Sequence, residues 1–126
     1  MLVPVPVQHQ IAAKAPHLAY VPARLSIGWH YVRWTHAGPL RIYFQNRAGQ
    51  QIVFVASPFK GDCRAGMQKS FQLAGNKAYW SQTTSGQQAW RCVNGMKLVA
   101  MTSLPANRFA DVGLGRIVAS GHRIRE

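Results

Sequence analysis

Over most of its length the chain alternates apolar and polar residues with a period of two. "GWHYVRW" sets Trp29, Tyr31 and Arg33 against His30, Val32 and Trp34, and its aromatic and β-branched residues favour a strand. "LRIYFQ" sets Leu40, Ile42 and Phe44 against Arg41, Tyr43 and Gln45, "NRAGQ" is turn material, and "QIVFVAS" resumes the period. These segments predict a hairpin. "PFKGDCRAGMQ", punctuated by Gly and Pro, reads as a loop, and "KSFQLAGNKAYWSQ" holds one or two short strands with a turn at "AGNK". The clearest hairpin is "QAWRCVNGMKLVAMTS". Asn94-Gly95 suits a type I′ turn, in which both central residues need positive φ. That turn pairs Val93 with Met96, Cys92 with Lys97, Arg91 with Leu98 and Trp90 with Val99. It puts Cys92 on one face with Trp90, Val99 and Met101.

After "SLPAN" the period changes. Phe109, Val112, Ile117 and Val118 fall at helical spacing, Asn107 suits a cap, and the spacing predicts a helix over 108–120, ending near Gly121. Gly113 and Gly115 each cost a helix about 1 kcal/mol relative to Ala, and they also permit close approach to a sheet. Strands followed by a helix predict an α+β fold. The expected architecture is an antiparallel sheet of about five or six strands with one C-terminal helix packed on a face. Trp90, Leu98, Val99 and Ile117 are its expected core residues. Residues 1–22, with prolines at 4, 6, 16 and 22, read as an extended Pro-rich arm ahead of a single domain over 23–126.

Composition adds charge and compartment to this picture. Fifteen Lys and Arg face three acids, for a net charge of +12. Such a balance favours anionic partners: an envelope polymer, a lipid surface or nucleic acid. The basic residues are scattered one or two to a segment, apart from the tail "HRIRE", so basic-arm and basic-helix nucleic-acid modules are disfavoured. No apolar run approaches the ~20 residues of a membrane span. The start "MLVPVPVQHQ" has no basic region before an uninterrupted apolar one, so it is not a secretory signal as it stands. On an export reading, the chain is a mature piece.

The candidate chemistry is sparse. Cys63 and Cys92 are the two cysteines, with neither CxxC nor Cys/His spacing, and the five histidines form no HExxH. A structural zinc site would need four ligands. Cys63 lies between Asp62, which raises a thiol pKa, and Arg64, which lowers it, and nothing marks it as a nucleophile. The expectation is a Cys63–Cys92 disulfide, hence an oxidising compartment. No metal or other cofactor is expected.

Besides the chain terminus, the carboxylates are Asp62, Asp111 and Glu126, too few for general acid–base work to be the leading reading. His30, His36 and Arg33 are the ingredients of a small basic ribonuclease, although on an unbroken strand the two histidines would stand about 20 Å apart. Trp29, Tyr31 and Arg33 have two readings. They form a stacking platform for sugars or single-stranded nucleic acid, or one parity of the strand is core.

A hairpin bearing Trp90, Asn94 and Gly95, followed by a helix with Ile117 and Ser120, resembles the C-terminal part of a family of domains of unknown function. That family occurs in exported Gram-positive lipoproteins and in the extracytoplasmic portions of anti-sigma factors. The stretch "GNKAYW" suits the strand before the hairpin, and the resemblance covers roughly the final third of the chain. It implies export and a β-rich sensing or binding role, with no catalytic residues. The expected function is therefore a non-enzymatic extracytoplasmic binding or sensing domain with a basic surface. A nucleic-acid-binding module is the alternative, and a ribonuclease-like hydrolase the second alternative.

Overall fold

A computed structural model of the chain describes residues 3–25, 28–104 and 111–124. Helix α1 (Val5–Lys14) and a 3₁₀ turn (Pro16–Leu18) lead to β1 (Tyr20–Val21). Then come β2 (His30–Thr35), β3 (Leu40–Gln45), β4 (Gln51–Pro58), β5 (Lys69–Leu73), β6 (Asn76–Thr83), β7 (Gly86–Val93) and β8 (Met96–Thr102). Helix α2 (Asp111–Ala119) and β9 (His122–Arg123) close the order. Strands β2 to β8 form one antiparallel sheet in the order β2-β3-β4-β8-β7-β6-β5, and β1 pairs with β9 in a separate two-stranded ribbon.

The fold is α+β, and the described residues form more strands than the alternation predicts: seven in the main sheet and two in the ribbon. Two causes account for the difference. "KSFQLAGNKAYWSQ" folds as two strands about a tight turn, with Ala74 at φ 51° and Gly75 at φ 81°. Strands of two residues, such as β1 and β9, are too short to carry a period. The Asn94-Gly95 turn has φ of 51° and 75°, and its four cross-strand pairs are those expected of a type I′ turn.

Residues 5–14, expected from their prolines to be extended, form α1. Pro4 precedes the helix and Pro6 lies in its first turn, where a missing N–H costs no hydrogen bond. Pro16 follows the last turn. Ile11 of this helix is fully buried, and it shares one apolar cluster with Tyr20, Val21 and the strand residues Leu40, Ile42, Phe44, Ile52 and Phe54. Asn107 and Phe109 lie outside the described residues, as do the first positions of the expected 108–120 helix.

Helix α2 lies on β5, β6, β7 and β8 through the buried Leu114, Ile117 and Val118. Gly115 faces β5, where an added Cβ would meet Leu73 and Phe71 side-chain carbons at 3.2 Å. The absence of a side chain there lets helix and strand approach. Ser120 ends the helix by donating to the Ile117 carbonyl at 2.7 Å. Its hydroxyl also accepts from the backbone N–H groups of Ala23 and Arg24, at 3.1 and 3.0 Å.

Arg91 reaches from β7 to the same helix end. Its Nη1 donates to the carbonyl oxygens of Gly121 at 2.8 Å, Val118 at 3.4 Å and Ala119 at 3.5 Å. Burial lowers the Arg91 pKa, and Tyr20 works in the opposite direction. The cation completes the helix by meeting both its orphan carbonyls and the negative end of its dipole. Arg91→Ala is expected to lower stability by about 1.5–3 kcal/mol. Urea denaturation of the variant checks this, and a change below about 0.5 kcal/mol would show that water replaces the guanidinium without loss.

Candidate functional site on the open sheet face

Residues paired across an antiparallel ladder share a face, so the registers sort the sheet into two surfaces. The inner surface carries Ile42, Phe54, Ala100, Ala89 and Trp80 in one transverse row and lies against α2 and the N-terminal segment. The outer surface carries two rows of interest. One runs Arg33, Tyr43, Val53, Met101, Gln88, Ser81. The next runs Thr35, Arg41, Val55, Val99, Trp90, Tyr79, Ser70.

Part of this outer surface is covered by the loop between β4 and β5. Cys63 of that loop is disulfide-bonded to Cys92 of β7, with Cα atoms 6.2 Å apart. The Trp90 indole N–H donates to the Cys63 carbonyl. The Lys97 ammonium lies 4.9 Å from the Phe59 ring centre and 5.2 Å from that of Trp90. All four expected core residues are buried, in two different layers. Leu98 and Ile117 belong to the core cluster between the sheet and α2, whereas Trp90 and Val99 lie on the far side of the sheet, Trp90 beneath the disulfide loop.

Elsewhere the outer surface is open. Arg33 is exposed and stands over the Tyr43 ring, 3.8 Å from its centre. Such a contact is worth about 0.5–1 kcal/mol at a solvated site, and it leaves the edge of the guanidinium free to donate to an anion. Arg41 flanks Tyr43 along β3, and Met101 of β8 is 38% exposed. Among the described residues one ion pair is found, Arg64 with Asp62 at 3.7 Å, both well exposed. On the outer face Arg33 and Lys97 are thus set on rings.

The structure separates the three residues proposed from sequence as a platform. The register shifts between Tyr31 and Arg33, a bulge at Val32. Tyr31 pairs with Phe44 on the inner surface, its ring edge-on to Phe44 at 6.5 Å, and burial raises its pKa. Arg33 pairs with Tyr43 on the outer surface. Trp29 is half-buried against the core cluster. His30 starts β2 and His36 lies beyond its far end, stacked on Trp34 at 5.5 Å. No group of three His, Cys, Asp or Glu suited to a metal occurs among the described residues.

Beside the Arg33–Tyr43 pair the outer surface is hollowed into a cleft of about 410 Å³. Gln51, Thr83, Ser85 and Gln88 form its sides, over a floor of Val53 and Met101. Its shape comes from the start of β7, where Gly86 adopts φ 143° and any Cβ would strike the Thr102 carbonyl oxygen. Glycine alone is compatible with that backbone, so the strand enters the sheet without filling the hollow. Sequence reasoning missed both the cleft and Tyr43. The signal for Tyr43 was present, since it shares the polar parity of Arg41 and Gln45 in "LRIYFQ". Comparison of the chain with family models, curated proteins and solved structures gives no match.

Proposed function

We propose that this is a non-enzymatic extracytoplasmic binding domain that takes an anionic polymer on the open face of its sheet. The observation that carries the reading is Arg33 seated on Tyr43 beside Arg41, on a solvent-facing surface with no carboxylate in its rows. A net charge of +12 adds a long-range field of the same sign. The Cys63–Cys92 bond supports an oxidising compartment, and no described helix is long and apolar enough to cross a membrane. The resemblance to extracytoplasmic domains of lipoproteins and anti-sigma factors points the same way. A nucleic-acid platform is less favoured, because Tyr31 and Trp29 pack inward and the Tyr43 ring is already covered by Arg33.

The test is a salt titration with inorganic polyphosphate. Binding is expected to be weak and nearly gone by ~0.15 M salt, with a shallow log–log slope that reflects few simultaneous contacts. Arg33→Ala should lower affinity and reduce that slope by about one. Absence of binding at low salt, or a slope unchanged in Arg33→Ala, would refute the assignment of this face.

A further inference from the structure

The cleft has a chemistry opposite to that of the protein around it. In a chain of net charge +12, none of its lining residues is Lys, Arg, His, Asp or Glu. Its walls are carboxamides and hydroxyls, which both donate and accept, and its floor is the thioether of Met101 and the methyls of Val53. Such a lining matches a ligand with many hydroxyl groups around an apolar C–H face. Part of the polar lining is held in place by the fold. Gln88 donates to the Ser81 hydroxyl at 3.3 Å, and the Thr83 hydroxyl lies 3.1 Å from that of Ser85. The volume of about 410 Å³ is within the range of small-ligand sites.

The cleft is also continuous with the cationic surface. Val53 and Met101, its floor, belong to the same transverse row as Tyr43 and Arg33. One strand spacing, about 4.8 Å, separates Val53 from Tyr43, and another separates Tyr43 from Arg33. A neutral polyol unit in the cleft therefore has a guanidinium within reach of its neighbour. Nucleic acid fits this arrangement poorly. The cleft offers no aromatic face on which a base could stack.

We infer that the site binds an acidic glycan, with an uncharged sugar unit in the cleft and the carboxylate or phosphate of the adjoining unit on Arg33 and Arg41. This inference rests on the proposed polyanion-binding face and adds the class of polymer and the residues that read it. Gln51, Gln88 and Ser85 would read sugar hydroxyls, whereas Arg33 and Arg41 would read charge.

The experiment uses the full oxidised chain and four probes at low salt: a hyaluronan tetrasaccharide (in which uncharged N-acetylglucosamine alternates with glucuronate), maltotriose, tripolyphosphate and a thymidine oligonucleotide. Affinities are measured by calorimetry on the wild type, on Arg33→Ala and on the double variant Gln51→Ala/Gln88→Ala. A matched thermal midpoint shows that each variant is folded. The hyaluronan tetrasaccharide should bind about tenfold tighter than tripolyphosphate, and tighter than maltotriose, which lacks the charge. The double variant should lose the advantage over tripolyphosphate while keeping tripolyphosphate binding, and Arg33→Ala should weaken both anions. Equal affinity for the two anions, unchanged in the double variant, would overturn the glycan site and leave the polyanion face standing. Failure of both anions to bind would overturn the two together. Tighter binding of the oligonucleotide than of the hyaluronan tetrasaccharide would assign the face to nucleic acid instead.

Discussion

Phe54→Ala is expected to destabilise the protein by about 3–5 kcal/mol, the cost of truncating a large aromatic side chain that the surrounding core cannot replace. Phe54 is fully buried at the centre of the inner surface, between Ile42 and Ala100 in its row. Its ring tip lies 3.5 Å from where a Cβ of Gly121 would be, so it fills the space under the end of α2. The neighbours on one side are small: Ala100, then Ala89 beyond it, each fully buried. An alanine methyl cannot swing into a cavity, so the hole would persist and the cost should fall toward the top of the range. Urea unfolding measures it. A loss below about 1 kcal/mol would mean that α2 settles into the gap and that the helix–sheet contact is plastic.

Removal of the disulfide should have a comparable effect by a different route. The Cys63–Cys92 link spans 29 positions, and on the chain-entropy model closing such a loop is worth about 3.5 kcal/mol. The native state contributes as well, because the loop bearing Cys63 keeps Trp90 at 2% exposure. The double variant Cys63→Ala/Cys92→Ala should lose about 3–4 kcal/mol in urea. It should also shift Trp fluorescence to longer wavelength while still folded, as the indole of Trp90 gains access to water. A stability change below about 1 kcal/mol, with unchanged fluorescence, would show that Phe59, Lys97 and Trp90 hold the loop without the bond.

What could be read in advance followed from local rules. Asn94-Gly95 fixes its turn by backbone sterics, and the turn fixes the register of β7 and β8. Cys92, Trp90, Val99 and Met101 could therefore be placed on one face from sequence. Helix α1 was hidden because proline suppresses helix in its interior but not in its first turn, and the distinction depends on where the helix starts. The bulge at Val32 was hidden because alternation gives parity only along an unbroken ladder. One extra residue moved Arg33 to the face opposite Tyr31, which dissolved the expected platform and created the pair with Tyr43. The cleft was illegible for another reason. Gln51, Thr83, Gln88 and Met101 come from four strands, and only the order β4-β8-β7-β6 brings them together.

That strand order also has a kinetic consequence. Strands β2, β3 and β4 form one meander and β5, β6, β7 and β8 another, each joined by short turns between neighbours. The seam between them, β4 against β8, pairs Pro58 with Met96 at one end and Ile52 with Thr102 at the other. It is the longest-range pairing within the seven-stranded sheet, and its loop must close before any of its pairs forms. The Cys63–Cys92 link sits just inside that loop, a few residues from the Pro58–Met96 end of the seam. Once the sulfurs are joined, β4 and β8 are tethered at one end and need only zip. Oxidation therefore converts the slowest pairing in the sheet into a nearly local one, and a chain that meets its oxidant early should assemble faster than one that folds first and is oxidised afterwards.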